Sequence, residues 1–287
     1  MDNFIDSSNS SSKSFFILLI LTVLCAFSLQ FIALFLGITS IYLLFAISTI
    51  STFLLPAILL QKLETNTEYF PFNAKTNAIW YIVAIIFMVV FSPLMEYIGE
   101  WNRNMQLPTF LESIQAWMQA KEDEMALLTE NVIMVDSIGK LLLNILVMAV
   151  LPAVAEEYYF RGSLMNIIQR AVKNEHISIW LTAIIFSAIH VQFFGFFPRM
   201  ILGVFFGYML IWTKNIWIPV LAHFVNNAAV TVFAYYYTIQ GKTYADMQTY
   251  ESYPIIVYLG SFIVAVALAS WSYKKLVREN FYGKGLD

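Results

Sequence analysis

Charge is what this sequence has least of. Only 12% of its 287 residues are Asp, Glu, Lys or Arg, where a soluble domain carries about 25%. The net charge of -3 gives no electrostatic reason to expect a nucleic-acid partner. A single cysteine, Cys25, excludes a disulfide framework and a Cys-based metal site. It sits in an apolar run and reads as a small buried side chain. Histidine is nearly as scarce, with three in the chain. What the sequence has in place of charge is apolar length: 60% of residues are hydrophobic and the mean hydropathy is +0.70. Together these point to a polytopic membrane protein built as one helical bundle.

The opening MDNFIDSSNSSSKS is polar and rich in Ser and Asn, which predicts a disordered tail over 1–14. The apolar run after it is longer than the core of a signal peptide and reads as a first membrane span. About 20 apolar residues are needed to cross some 30 Å of hydrocarbon. Runs of that kind fall at 15–37, 40–61, 78–98, 139–161, 177–195, 199–213, 216–238 and 254–273. Backbone polar groups cannot go unpaired in lipid, so the fold class is all-α, a bundle of about eight transmembrane helices. With both termini cytoplasmic, inner segments hold eleven Lys and Arg against five in outer ones, which supports an N-in/C-in orientation.

The chain thus divides into a tail (1–14), three spans (15–98), an extramembrane segment (99–137), a core (138–238), and a last span with a basic tail (239–287). The extramembrane segment carries seven acids against two bases, Arg103 and Lys121. Apolar residues recur in it at helical spacing, which predicts an amphipathic helix at the outer surface, with a substrate lid as the functional alternative. In the sixth run, GVFFG (203–207) has the small-xxx-small spacing that lets helix backbones approach closely.

Ionisable side chains inside spans are penalised on insertion and point to function. Here they are Glu156, Glu157 and Arg161 in EEYYFR, His190 in FSAIH and His223 in HFVNN. Glu157 and Arg161 are one helical turn apart and can pair. Glu156 is rotated about 100° from Glu157, so it is left to face the bundle. An acid in an apolar cavity suits general-base work near neutral pH. His223 shares a helix face with Asn226 and Asn227, a pairing fit to bind a metal or an oxyanion. Helix rise places Glu156 and His223 about 9–10 Å from the cytoplasmic ends of their helices and His190 about 15–20 Å in, so one cavity in the inner half of the bilayer can hold all three. On physics alone this is a polar intramembrane site, which hydrolysis and proton-coupled transport would both use.

Three motifs in order, E-E-x-x-x-R at 156–161, F-x-x-x-H at 186–190 and H-x-x-x-N at 223–227, resemble the CPBP (CAAX-processing and bacteriocin-processing, or Abi) family of intramembrane proteases. The resemblance covers about residues 139 to 238. It implies that Glu156 activates the attacking water with help from His190, that Glu157 and Arg161 shape the site, and that His223 and Asn227 stabilise the oxyanion. It implies an intramembrane endopeptidase working from a cavity open to the cytoplasm, in a bacterial cytoplasmic membrane. Its partners would be membrane lipid and a peptide or protein substrate, in the family's eukaryotic members a prenylated tail. Whether a metal takes part is open: Glu156, His190 and His223 could furnish a Zn²⁺ site, but no H-E-x-x-H helix fixes one, and Glu156 as a ligand would leave another base to be found. The rival readings are a non-catalytic scaffold or bacteriocin self-immunity protein, and a proton-coupled transporter, against which no pair of broken helices stands in corresponding halves.

Overall fold

The computed structural model describes residues 10–73, 76–249 and 252–282, with side chains as far as Leu276. Ten helices make up the described fold, and the described residues include no strand. They are α1 (Ser11–Phe35), α2 (Ile41–Leu63), α3 (Ile79–Arg103), α4 (Glu112–Ile133), α5 (Ile138–Val172), α6 (Glu175–Ala188), α7 (Phe196–Thr213), α8 (Trp217–Ile239), α9 (Tyr244–Gln248) and α10 (Ile255–Tyr282). The chain is an all-α integral membrane protein: α1, α2, α3, α5, α7, α8 and α10 are long and apolar enough to cross a bilayer. Their outer faces leave large apolar side chains such as Phe27, Phe31, Val89 and Ile263 uncovered, as a lipid-facing surface requires.

The fifth expected crossing differs. Instead of spanning 177–195, α6 stops at Ala188, and the expectation of eight full spans becomes seven plus one short helix. The reason is local: Val191 takes a left-handed backbone (φ 53), a conformation that a β-branched residue rarely adopts. The chain turns there, and Phe193–Gly195 form a 3₁₀ turn leading into α7. The start of the first helix also differs. Of the expected tail, residues 1–9 lie outside the described residues, while Ser11 to Ser14 are helical under a cap from Ser10.

Polar side chains fix the two ends of the bundle. At the end where α1 begins, Ser14 and Tyr69 both donate to the Glu64 carboxylate, and Arg170 donates to the Tyr69 hydroxyl at 2.7 Å. Asn215 there donates to the Asn73 carbonyl, Thr76 and Tyr81. At the opposite end Asn102 accepts from the Phe197 N–H and donates to the Phe193 carbonyl, pinning the α6–α7 turn to α3. The Asn144 amide donates to the Val132 carbonyl, tying α4 to α5. Between the two ends, Phe87 stacks on Phe205 with ring centroids 3.7 Å apart, joining α3 to α7. The GVFFG spacing does serve close packing: a Cβ on Gly207 would lie 2.9 Å from Ile179 of α6.

Candidate active site

Glu156 and Glu157 close an α-helical stretch of α5, and Tyr158–Leu164 continue it as a π-helical turn, a deviation found often at functional sites. The spacing argument holds for the pair. Arg161 donates from Nη1 to Glu157 Oε1 at 2.8 Å, and neither side chain is exposed. Its Nη2 donates to the Gly203 carbonyl on α7 at 3.1 Å. The guanidinium also lies over the rings of Phe186 and Phe206, 4.5 and 5.2 Å from their centroids. Three helices thus converge on one arginine.

His223 of α8 completes the arrangement. Its Nδ1 lies 2.8 Å from the same Glu157 oxygen, so that nitrogen carries the proton and donates it. The ring stacks on Phe206 at 5.3 Å. This orientation turns Nε2 toward Glu156, whose Oε2 lies 3.8 Å away. Glu157 is therefore committed to Arg161 and His223, while Glu156 meets only the far side of the imidazole. Asn227 is one turn further along α8, and its Oδ1 accepts from Asn226 at 3.2 Å, which leaves its own amide N–H groups for another acceptor. His190 stands at the end of α6, where Nδ1 lies 2.8 Å from the Phe186 carbonyl and its ring meets that of Phe186 edge-on.

Among the described residues no group of three His, Cys, Asp or Glu side chains gathers closely enough to hold a metal ion in this geometry. One nitrogen of each histidine bonds within the protein, His223 to Glu157 and His190 to a carbonyl, which leaves the other nitrogen of each ring open. One expectation needs correction, the depth and direction of the cavity. The helix carrying Glu156 does not end near Arg161 but runs on to Val172, because its polar residues Asn166 and Arg170 find buried partners. Glu156 thus lies about 24 Å from that end. The side expected to open, where α1 begins, is closed. Phe70 stacks on Tyr158 and lies directly against Gly162, leaving beside Arg161 a cavity of about 10 Å³. His190, Asn226 and Asn227 are instead partly exposed toward the end that bears α4.

Sequence reasoning passed over three residues at that end. Arg199 on α7 is one of the five basic residues of the outer segments, yet its Nη2 donates to Gln192 Oε1 at 2.8 Å, two residues beyond His190. Glu122 on α4 lies near the backbone of Phe194, whose N–H favours the carboxylate. Burial pushes the Glu122 carboxyl above its ordinary range, against the opposing pull of Arg199 and Arg103. Trp117 of the same helix packs on Phe193 at 5.3 Å. The acidic amphipathic helix therefore lies over the site. The one signal available in sequence was an arginine just inside an apolar run.

Comparison with known proteins places this geometry in context. Residues 138–229 match the family model described as type II CAAX prenyl endopeptidase Rce1-like. An uncharacterized protein of Bacillus subtilis (strain 168), YpbD, is 32% identical over 89 residues, which are 30% of this chain and 42% of that protein. The chain thus spans less than half the length of that relative. No solved structure matches the chain. The matched segment, less than half of the chain, holds the two glutamates, Arg161, both intramembrane histidines and Asn227, and over residues 138–229 the chain is similar to the Rce1-like family.

Proposed function

We propose that this protein is an intramembrane endopeptidase of the CAAX-processing type in a bacterial cytoplasmic membrane, hydrolysing a peptide bond with a water activated by Glu156. The observation that carries this reading is the unequal treatment of the two glutamates. Glu157 is held by Arg161 and His223 at 2.8 Å each, whereas Glu156 is left facing the free side of the same imidazole. A base needs that freedom; an orienting group does not.

In this mechanism Glu156 takes a proton from water as the oxygen attacks the scissile carbonyl carbon. The carbonyl becomes an oxyanion, met by Nε2–H of a protonated His223 and by the Asn227 amide. The C–N bond then breaks, and the proton held by Glu156 passes to the departing amine, so the carboxylate is restored. Glu157 fixes the His223 ring, and Arg161 fixes Glu157. His190 flanks the water on the side away from Arg161. No step in this mechanism is routed through a metal.

The test is cleavage of a farnesylated peptide ending Cys-Val-Ile-Met by the purified protein in bilayers, with product termini read by mass spectrometry. Glu156→Gln is expected to lower the rate by about 10²–10⁴-fold, the range for loss of a general base, with an unchanged unfolding transition. Identical termini and rates in wild type and variant would refute the mechanism. The same samples read against a bacterial membrane-proteome extract would identify a substrate that is not prenylated.

A further inference from the structure

Arg199 has no role in the mechanism above, and among the described residues its hydrogen bonds go to Gln192 alone. Its guanidinium carries five N–H donors. The acceptors it meets are the Gln192 side chain at 2.8 Å and the Gln192 carbonyl at 3.5 Å. Among the described residues no carboxylate lies within ion-pairing distance of it, in contrast to Arg161 and Arg170. The acids whose charge reaches it, Glu122 and Glu156, do so from beyond that distance, which leaves a partly buried arginine incompletely paired. A purely structural arginine would resemble Arg161, whose donors reach a carboxylate and a carbonyl.

Its position shows what it can reach. Arg199 is one turn before Gly203, whose carbonyl holds Arg161, so it lies about 6 Å along the same face of α7, toward α4. Its side chain lies back against Gly195, where an added Cβ would be 3.2 Å from Nη2. Gln192, which holds it, follows His190 through the left-handed turn at Val191. The charge of Arg199 acts on both Glu156 and His190. The structure also aims a protein carboxylate into its surroundings: Glu122 of α4, one oxygen of which is buried without a hydrogen-bond partner.

We propose that Arg199 is a specificity-determining residue that binds a carboxylate of the substrate about two or three residues beyond the scissile bond. An extended peptide advances about 3.3 Å per residue, so a chain whose reacting carbonyl sits at Glu156 and His223 brings such a group level with Arg199. The carboxylate is either the chain terminus or an acidic side chain near it. Gln192 holds the guanidinium in place before substrate arrives, and Glu122 occupies the neighbourhood until then. This inference rests on the endopeptidase reading.

The test measures binding as well as cleavage, so that each reading fails separately. Three farnesylated peptides are titrated into Glu156→Gln protein: Cys-Val-Ile-Met with a free C terminus, the same peptide as its amide, and Cys-Val-Ile-Glu as its amide. The expected result is that one or both carboxylate-bearing peptides bind about ten- to a hundredfold more tightly than the Met amide, the range of a charge-assisted hydrogen bond. In Glu156→Gln/Arg199→Ala that ratio falls toward one, and in Glu156→Gln/Arg199→Lys it is partly restored. Preference for the free terminus alone identifies a terminal carboxylate; preference for both identifies a carboxylate of either source. Equal binding of all three peptides, or a ratio unchanged by Arg199→Ala, overturns the inference whatever the cleavage assay shows. Absence of cleavage in wild type alongside an Arg199-dependent binding ratio would refute the endopeptidase reading and leave the carboxylate site standing.

Discussion

At the scale of residues, the site is a chain of dependencies that ends in one free group. Arg161 pairs with Glu157, His223 is oriented by Glu157, and Glu156 faces the other side of the same imidazole. Glu157→Gln should therefore behave as a structural variant: it strands a fully buried guanidinium and is expected to destabilise by about 3–5 kcal/mol, the range for breaking a buried ion pair from one side. Unfolding by detergent titration measures this, and Glu156→Gln on the same scale should move the midpoint little. Equal losses would erase the division of roles. This division was legible in sequence, because the turn of a helix separates adjacent residues and aligns those four apart. The partners from other helices were not. Nothing local to His223 indicates that its Nδ1 meets Glu157 rather than Glu156. Nothing local to Arg199 indicates that Gln192, and no acid, would hold it.

At the scale of elements, apolar runs located each of the seven long apolar helices among the described residues, because burial in lipid is read residue by residue. They misplaced ends, because ends are decided by tertiary partners. The fourth run continues through Asn166 and Arg170, which a hydropathy reading treats as loop, since Tyr69 and Glu64 wait for Arg170 at the bundle's edge. The fifth run breaks early at Val191, although its composition is unchanged. The close approach of α6 and α7 was visible in GVFFG, but its bearing on the site was not. A Cβ on Gly203 would lie 3.1 Å from Ala183 and 3.2 Å from Arg161 Nη2. Gly203→Ala is thus expected to displace Arg161 and lower peptide cleavage at least about tenfold. Gly207→Ala, which meets Ile179 instead, should lose stability by about 1–3 kcal/mol through overpacking and keep more of its activity. Matching activities in the two variants would detach Gly203 from the site.

At the scale of the whole molecule, the described helices include seven apolar ones long enough to cross a bilayer and one apolar helix, α6, that is shorter. Helix α6 has 14 residues, so it extends about 21 Å against a hydrocarbon thickness of about 30 Å. Its Trp180, Leu181, Ile184 and Ile185 face outward, so lipid meets this helix directly. A hydrophobic element shorter than the bilayer draws the bilayer thinner around it. The turn that carries His190 follows directly after the end of α6. Thinning around α6 is thus expected to bring headgroups and water toward that turn on one flank of the protein. Peptide cleavage should fall several-fold as reconstituted lipids lengthen from 14- to 22-carbon chains, while a soluble reporter of fold stays constant. A rate indifferent to chain length would mean that the turn receives its water by another route.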